Sequence, residues 1–219
     1  VTPPGVGELL TDWRFDPWLA ALLALTVVAY GAGVVRVNRS GRRRWPAQRT
    51  AAFAAGMMAL AFAMQSGIAT YDGDLLPVHM VQHLLLTMVA AALLVASAPV
   101  SLALRALRGS PRAMIASIIR SRPARALTHP AVAWPIFTGV MVAMHVPAVY
   151  DLAVEQPWFH AVQHALFFWS AVLFWLPVVA ADPVPHRLPA AGSVAYMLMA
   201  MVPMSVIGVA LLVTDTVIY

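Results

Sequence analysis

The chain has 219 residues, 61% of them hydrophobic and 11% charged, with a mean hydropathy of +0.78. That balance excludes an ordinary soluble domain and places the chain among membrane proteins. Its net charge of +5 carries no lysine at all, every cation being arginine, and the lack of cysteine excludes disulfides, Cys-x-x-Cys redox chemistry and thiolate metal ligands.

Residues 1–17, with Pro3, Pro4, Gly5 and Pro17, read as an exterior lead-in with little structure of its own. The segment is acidic rather than basic and the apolar stretch after it is long, so no cleavable signal peptide is expected. Crossing a hydrocarbon core takes about 20 mainly apolar residues. Six stretches are read as spans: 18–35, 51–68, 78–98, 131–144 with its continuation to 150, 158–180 and 191–213. Runs this long are not barrel strands, so the backbone is satisfied as helices. The expected fold is an all-α polytopic bundle, residues 18–219 forming a single transmembrane domain.

Arg36, Arg39, Arg42, Arg43, Arg44 and Arg49 fall between the first two spans, and Arg105, Arg108, Arg112, Arg120, Arg122 and Arg125 between the third and fourth. The positive-inside rule makes those loops cytoplasmic and turns both termini outward. Glu8, Asp12, Asp16, Asp72, Asp74, Asp151, Glu155 and Asp215 all lie on the other side. Arginine clusters beside apolar spans contact anionic lipid, so the partner they imply is the bilayer and not nucleic acid.

The second span carries Ala51, Ala52, Ala54, Ala55, Gly56, Ala59, Ala61 and Ala63, small residues that admit close neighbours and predict a central place in the bundle. Ser110-Pro111 reads as a helix cap and first residue, opening an interfacial helix with Met114, Ile115, Ile118 and Ile119 on one side. Pro203 is expected to kink the last span.

One phrase occurs twice: His79-Met80-Val81-Gln82-His83 and His160-Ala161-Val162-Gln163-His164. Each opens a span after a similar approach, Tyr71-Asp72 to Pro77 and Tyr150-Asp151 to Pro157. The units read as two parallel helix-pair repeats, which would face the His pairs toward each other at equal depth. Histidines four apart on a helix are offset by roughly 40° and about 6 Å of rise, so both rings can reach one ion. His145 joins them from the outer end of the fourth span; it corresponds to Ser66 if the Tyr-Asp pairs are aligned, or to Met64 if the histidines are.

Ionisable side chains within a bilayer usually serve function, and neutral imidazole is a good ligand for copper, zinc, iron and nickel. The candidate ligands are therefore His79, His83, His145, His160 and His164. Met80, Met144 and Met64 are additional candidates, because thioether beside imidazole favours Cu(I) or Cu(II) over magnesium or calcium. Zinc on imidazoles alone is a weaker alternative. Gln82, Gln163, Asp72 and Asp151, with Tyr71 and Tyr150, are candidates to orient the rings. The stripe Met197, Met201 and Met204 reads as packing, and His129 and His186 as ordinary interfacial residues. Haem ligation is the competing reading, but partners one turn apart contend for the same place. A copper transporter would need a polar route below the histidines, where only Thr87, Ser97 and Ser170 are offered. No Gly-rich phosphate loop, His-Glu-x-x-His or serine nucleophile signature supports an enzyme.

The stretches His79 to Leu86 leading to Ala98-Pro99, His129-Pro130, His145-Val146-Pro147-Ala148-Val149-Tyr150-Asp151, and Pro157-Trp158-Phe159-His160 through His164 to Phe174-Trp175-Leu176-Pro177 occur in order. Together they resemble the CtaG-type cytochrome c oxidase assembly factor family in its multi-span bacterial form, over roughly residues 70–180. The resemblance implies a bacterial plasma-membrane protein that handles copper while a haem-copper oxidase matures, with an oxidase subunit as partner. It also implies that the five histidines are the family's own; family members generally continue into another membrane helix, and whether one is missing here stays open. The oligomeric state, a homo-oligomer included, stays open.

Overall fold

The computed structural model describes residues 6–213 apart from Arg42 and Asp74. All regular structure among the described residues is helical. Helix α1 (Val6–Thr11) precedes α2 (Pro17–Arg39), whose start is fixed by Asp16: its carboxylate accepts from the amides of Trp18 and Leu19. The lead-in is thus more ordered than its composition suggests. The Arg14 amide donates to the Gln65 carbonyl, Thr70 Oγ1 to the Asp12 carbonyl, and Tyr71 Oη to the Asp12 carboxylate, stitching residues 12–14 across the next helical corner.

Helix α3 (Ala47–Gln65) ends where Ser66 turns extended, and the Ser66 hydroxyl accepts the amide that opens α4 (Gly67–Tyr71). Next comes α5 (Leu76–Leu84), which widens into a π-helical segment (Leu85–Ala90) and continues as α6 (Ala91–Ala96). Ala98, left-handed at φ 53°, turns the chain into α7 (Pro99–Ala106). Helices α8 (Gly109–Arg120) and α9 (Arg122–Leu127) follow without burying a residue, as suits segments lying along an interface. Ser110 falls within the first turn of α8 rather than capping it; Pro111 is tolerated there because first-turn amides have no intrahelical partner. The remaining helices are α10 (Pro130–Met144), α11 (Pro147–Glu155), α12 (Pro157–Val179) and α13 (Ala190–Val213).

Four helical stretches among the described residues are long and apolar enough to cross a membrane: Pro17–Arg39, Ala47–Tyr71, Pro77–Ala106 and Pro157–Val179. The stretch read as a fourth span breaks by 79° between Pro130–Met144 and Pro147–Ala153. Its cause is local: Pro147 supplies no amide and holds Val146 extended. Counting that bent pair as one gives up to five spans, and α13 contributes a shorter apolar segment, Ala190–Val206. The molecule is a membrane helical bundle.

Two buried clusters hold it. One gathers Tyr30, Val37, Trp45, Phe53, Met57 and Leu102, from α2, α3, α7 and the loop between α2 and α3. The other gathers Phe137, Met141, Phe167, Phe174 and Tyr196 from α10, α12 and α13. The central place expected for the small-residue helix follows from Gly56, where an added Cβ would stand 2.9 Å from the Leu94 side chain. Only a residue without Cβ lets α3 and α6 approach so closely.

The arginine-rich end is tied by side chains. Asp182, after α12, accepts from the amides of Val100 (3.2 Å) and Ser101 (2.6 Å) in the first turn of α7. Tyr30 Oη donates toward the carbonyls of Ser97 (3.0 Å) and Arg49 (3.2 Å) and accepts from the Trp45 indole at 3.1 Å. His129 serves the fold here, its Nδ1 accepting the Ala131 amide that opens α10 while its ring stands 4.4 Å from that of His186.

Candidate metal centre

The repeat seen in the sequence recurs as structure, α3–α4–α5 against α10–α11–α12: a long helix, a break, a short helix, then a long helix with proline in its first turn. The glutamine of each phrase binds its own repeat together. Gln82 Nε2 donates to the Ala63 carbonyl at 3.0 Å and Gln163 Nε2 to the Met144 carbonyl at 3.5 Å, each bond reaching back 19 residues. With both glutamines turned into the helix packing, the flanking histidines are aimed between α5 and α12.

There the rings meet. His79 and His83 stand 4.1 Å apart, His160 and His164 4.2 Å, each pair one turn apart on its helix. Across the interface His79 stacks on His160 at 5.6 Å, and His83 faces His164 at 5.8 Å and His145 at 6.0 Å. His145 reaches the group because it is the residue at which α10 ends. Its Nδ1 lies 2.7 Å from the Met141 carbonyl, which can only accept, so Nδ1 carries the proton and the ring lone pair is on Nε2.

The cluster is nearly closed to solvent: His79 is 1% exposed, His83 4% and His164 7%. Neither ring nitrogen of His83, nor Nε2 of His164, has a hydrogen-bond partner among the described residues. Burying such nitrogens unpaired is costly, and a bound cation is one way to satisfy several of them at once. A carboxylate completes the donor set. Asp72 lies buried beside His160, Oδ2 to Nε2 at 3.7 Å, and ligand atoms of Asp72, His160 and His164 all fall within 4.8 Å of one another. Burial holds the Asp72 carboxyl above the usual carboxylate range, against the opposing pull of His160. Imidazole nitrogens with one carboxylate oxygen form a set suited to a divalent or monovalent transition ion, so the residues present fit such a group.

A family model described as cytochrome c oxidase caa3 assembly factor matches residues 28–219, all five clustered histidines included. The chain belongs to that family. Among similar proteins, an uncharacterized protein of Mycobacterium leprae is 34% identical over 194 residues, covering 85% of the chain and 29% of the relative. Uncharacterized proteins of Mycobacterium bovis and Mycobacterium tuberculosis are each 32% identical over 217 residues, covering 96% of the chain and 33% of each relative. The chain thus spans about a third of the length of these relatives. No solved structure matches it.

The other candidates scatter. Met80 and Met64 are half-buried on α5 and α3, while Met144 packs in the apolar cluster around Phe137 and Phe167. Asp151 is exposed on α11 and has no ion pair to the histidines among the described residues. Tyr71 binds Asp12, and Asp74, Asp215 and the Tyr150 side chain lie outside what is described. Sequence reading missed Phe167, whose ring is 4.2 Å from His83, and Trp175, whose indole donates to the Thr87 carbonyl at 2.8 Å. Phe167 follows His164 by three residues on α12, so helical spacing alone would have placed it near the rings.

Proposed function

We propose that this caa3 assembly factor family chain is a copper-holding protein that supplies copper to a haem-copper cytochrome c oxidase during its assembly, and that it is not an enzyme. One observation carries the reading: His83, with both nitrogens buried and unpaired among the described residues, has three other imidazoles around it, one of which, His164, forms a group of ligand atoms with His160 and Asp72. In this reading the spans number six with both termini outside, residues 18–219 form one membrane domain of the bacterial plasma membrane, and the site opens outward. His79, His83, His160 and His164 hold the ion, with His145 and Asp72 completing its surroundings. Gln82 and Gln163 lock the helices that present the rings, and Met80, Met144 and Met64 are a reserve of thioether. The ion passes to an oxidase subunit by ligand exchange, each incoming donor replacing one imidazole.

Two observations favour holding an ion over the alternatives. Phe167 presses on His83 at 4.2 Å, which leaves no flat slot for a haem macrocycle at the deepest histidine. Beyond the rings Phe137, Phe167 and Phe174 are buried in one apolar cluster, which disfavours a polar conducting path. Zinc is separated from copper by measurement: the purified protein, dialysed against each ion in turn, is expected to retain about one copper per chain by elemental analysis and to release zinc first when both compete. Equal retention of zinc, or a Soret band in the protein as purified, would overturn the reading.

A further inference from the structure

A second site lies at the opposite end of the molecule. Between α2 and α7 runs an open groove of about 1210 Å³, and Arg36, Arg39, Arg105 and Arg108 all line it. None of the four is in an ion pair among the described residues. No carboxylate is among the residues lining the groove, and Asp182 is turned to the Val100 and Ser101 amides. The Arg105 guanidinium carbon stands over the Trp45 ring at 5.6 Å, a cation–π contact that positions the group and leaves its in-plane N–H donors available.

The walls explain why the groove exists. α2 presents Ala29, Ala32 and Gly33 to it, and at Gly33 an added Cβ would stand 3.2 Å from Leu102 on its floor. Small residues on one helix and a close approach at its foot leave a channel that is apolar along the span and cationic at its end. That is the amphiphilic profile of a phospholipid, and four guanidinium groups demand a negative headgroup. We propose that this groove binds an anionic phospholipid of the arginine-side leaflet, its phosphate held among Arg36, Arg39, Arg105 and Arg108 and an acyl chain lying along Ala29 and Ala32. The site is independent of the metal reading and stands if that reading fails.

The test is native mass spectrometry of the protein purified from membranes in mild detergent, offered phosphatidylglycerol or phosphatidylcholine. The wild type is expected to hold phosphatidylglycerol at least tenfold more tightly, with inorganic phosphate failing to displace it. Replacing Arg36, Arg39, Arg105 and Arg108 together by Gln should abolish the preference. Replacing Arg43, Arg44, Arg122 and Arg125 by Gln, the same charge lost outside the groove, should leave most of it. Ala32→Phe keeps every charge and fills the channel, and should weaken retention about tenfold. Equal retention of the two lipids, equal losses in the two arginine variants, unchanged retention in Ala32→Phe, or a dimer that covers the groove without lipid would each overturn the proposal.

Discussion

The two repeats share a five-residue phrase, and the molecule uses them differently. In the first, His79 and His83 are sealed from solvent and Asp72 is buried beside them. In the second, the His160 side chain is 23% exposed, Asp151 is exposed, and the extra ring of His145 is supplied instead. The origin is a slip of two residues. Aligned on the glutamine bonds, Ala63 corresponds to Met144; α10 ends at once and puts His145 at its terminus, whereas α3 runs on through Met64 and Gln65 before Ser66 ends it. Near-identical sequence therefore yields a lopsided site, with a carboxylate from one half and a fifth imidazole from the other.

The comparison is broken most sharply by removing one ring from each half. His83→Ala with His164→Ala should take bound copper from about one ion per chain to background in elemental analysis, at unchanged elution and helicity; retained stoichiometry would mean the halves do not share an ion. Next in size, Asp72→Asn should weaken copper binding by roughly 100-fold in a competition titration, while Asp151→Asn changes it by less than about twofold. Equal effects from the two would restore the symmetry that the geometry denies. In thermal unfolding, Gln82→Leu should cost about 1–2 kcal/mol through loss of its 3.0 Å bond, and Gln163→Leu, whose bond is 3.5 Å, distinctly less. The smallest effect has the opposite sign: in the metal-free protein His83→Leu should gain about 1 kcal/mol, because a buried ring with two unpaired nitrogens gives way to hydrocarbon. A loss of stability there would show that the ring is satisfied without an ion.

The helical class, the central helix and the five-histidine cluster were readable in the chain because each rests on a short-range rule: apolar run length, small residues at a close contact, and one helical turn between ligands. Ser66, Gln82 and Gln163 were visible too, though which carbonyl each glutamine would reach was not. The 79° break after Met144 needed only Pro147, yet the continuous apolar run hid it. The unequal fates of Asp72 and Asp151 had no local signature, since both follow a tyrosine in the short segment before a histidine-bearing helix. The order of residues 6–16 was hidden for a similar reason, its side-chain bonds being made to residues 58 and 59 positions away.

The Asp182 and Tyr30 network at the far end gives the bundle its anchorage. Helices α2, α3 and α7 and the segment after α12 are joined there through bonds of 2.6 to 3.2 Å, while at the other end the His83 ring and Nε2 of His164 have no hydrogen-bond partner among the described residues. Cohesion is thus concentrated at one pole and frustration at the other. If the copper reading holds, a fold arranged in that way would lose its ion without losing its shape, with any loosening confined to the histidine-bearing rim.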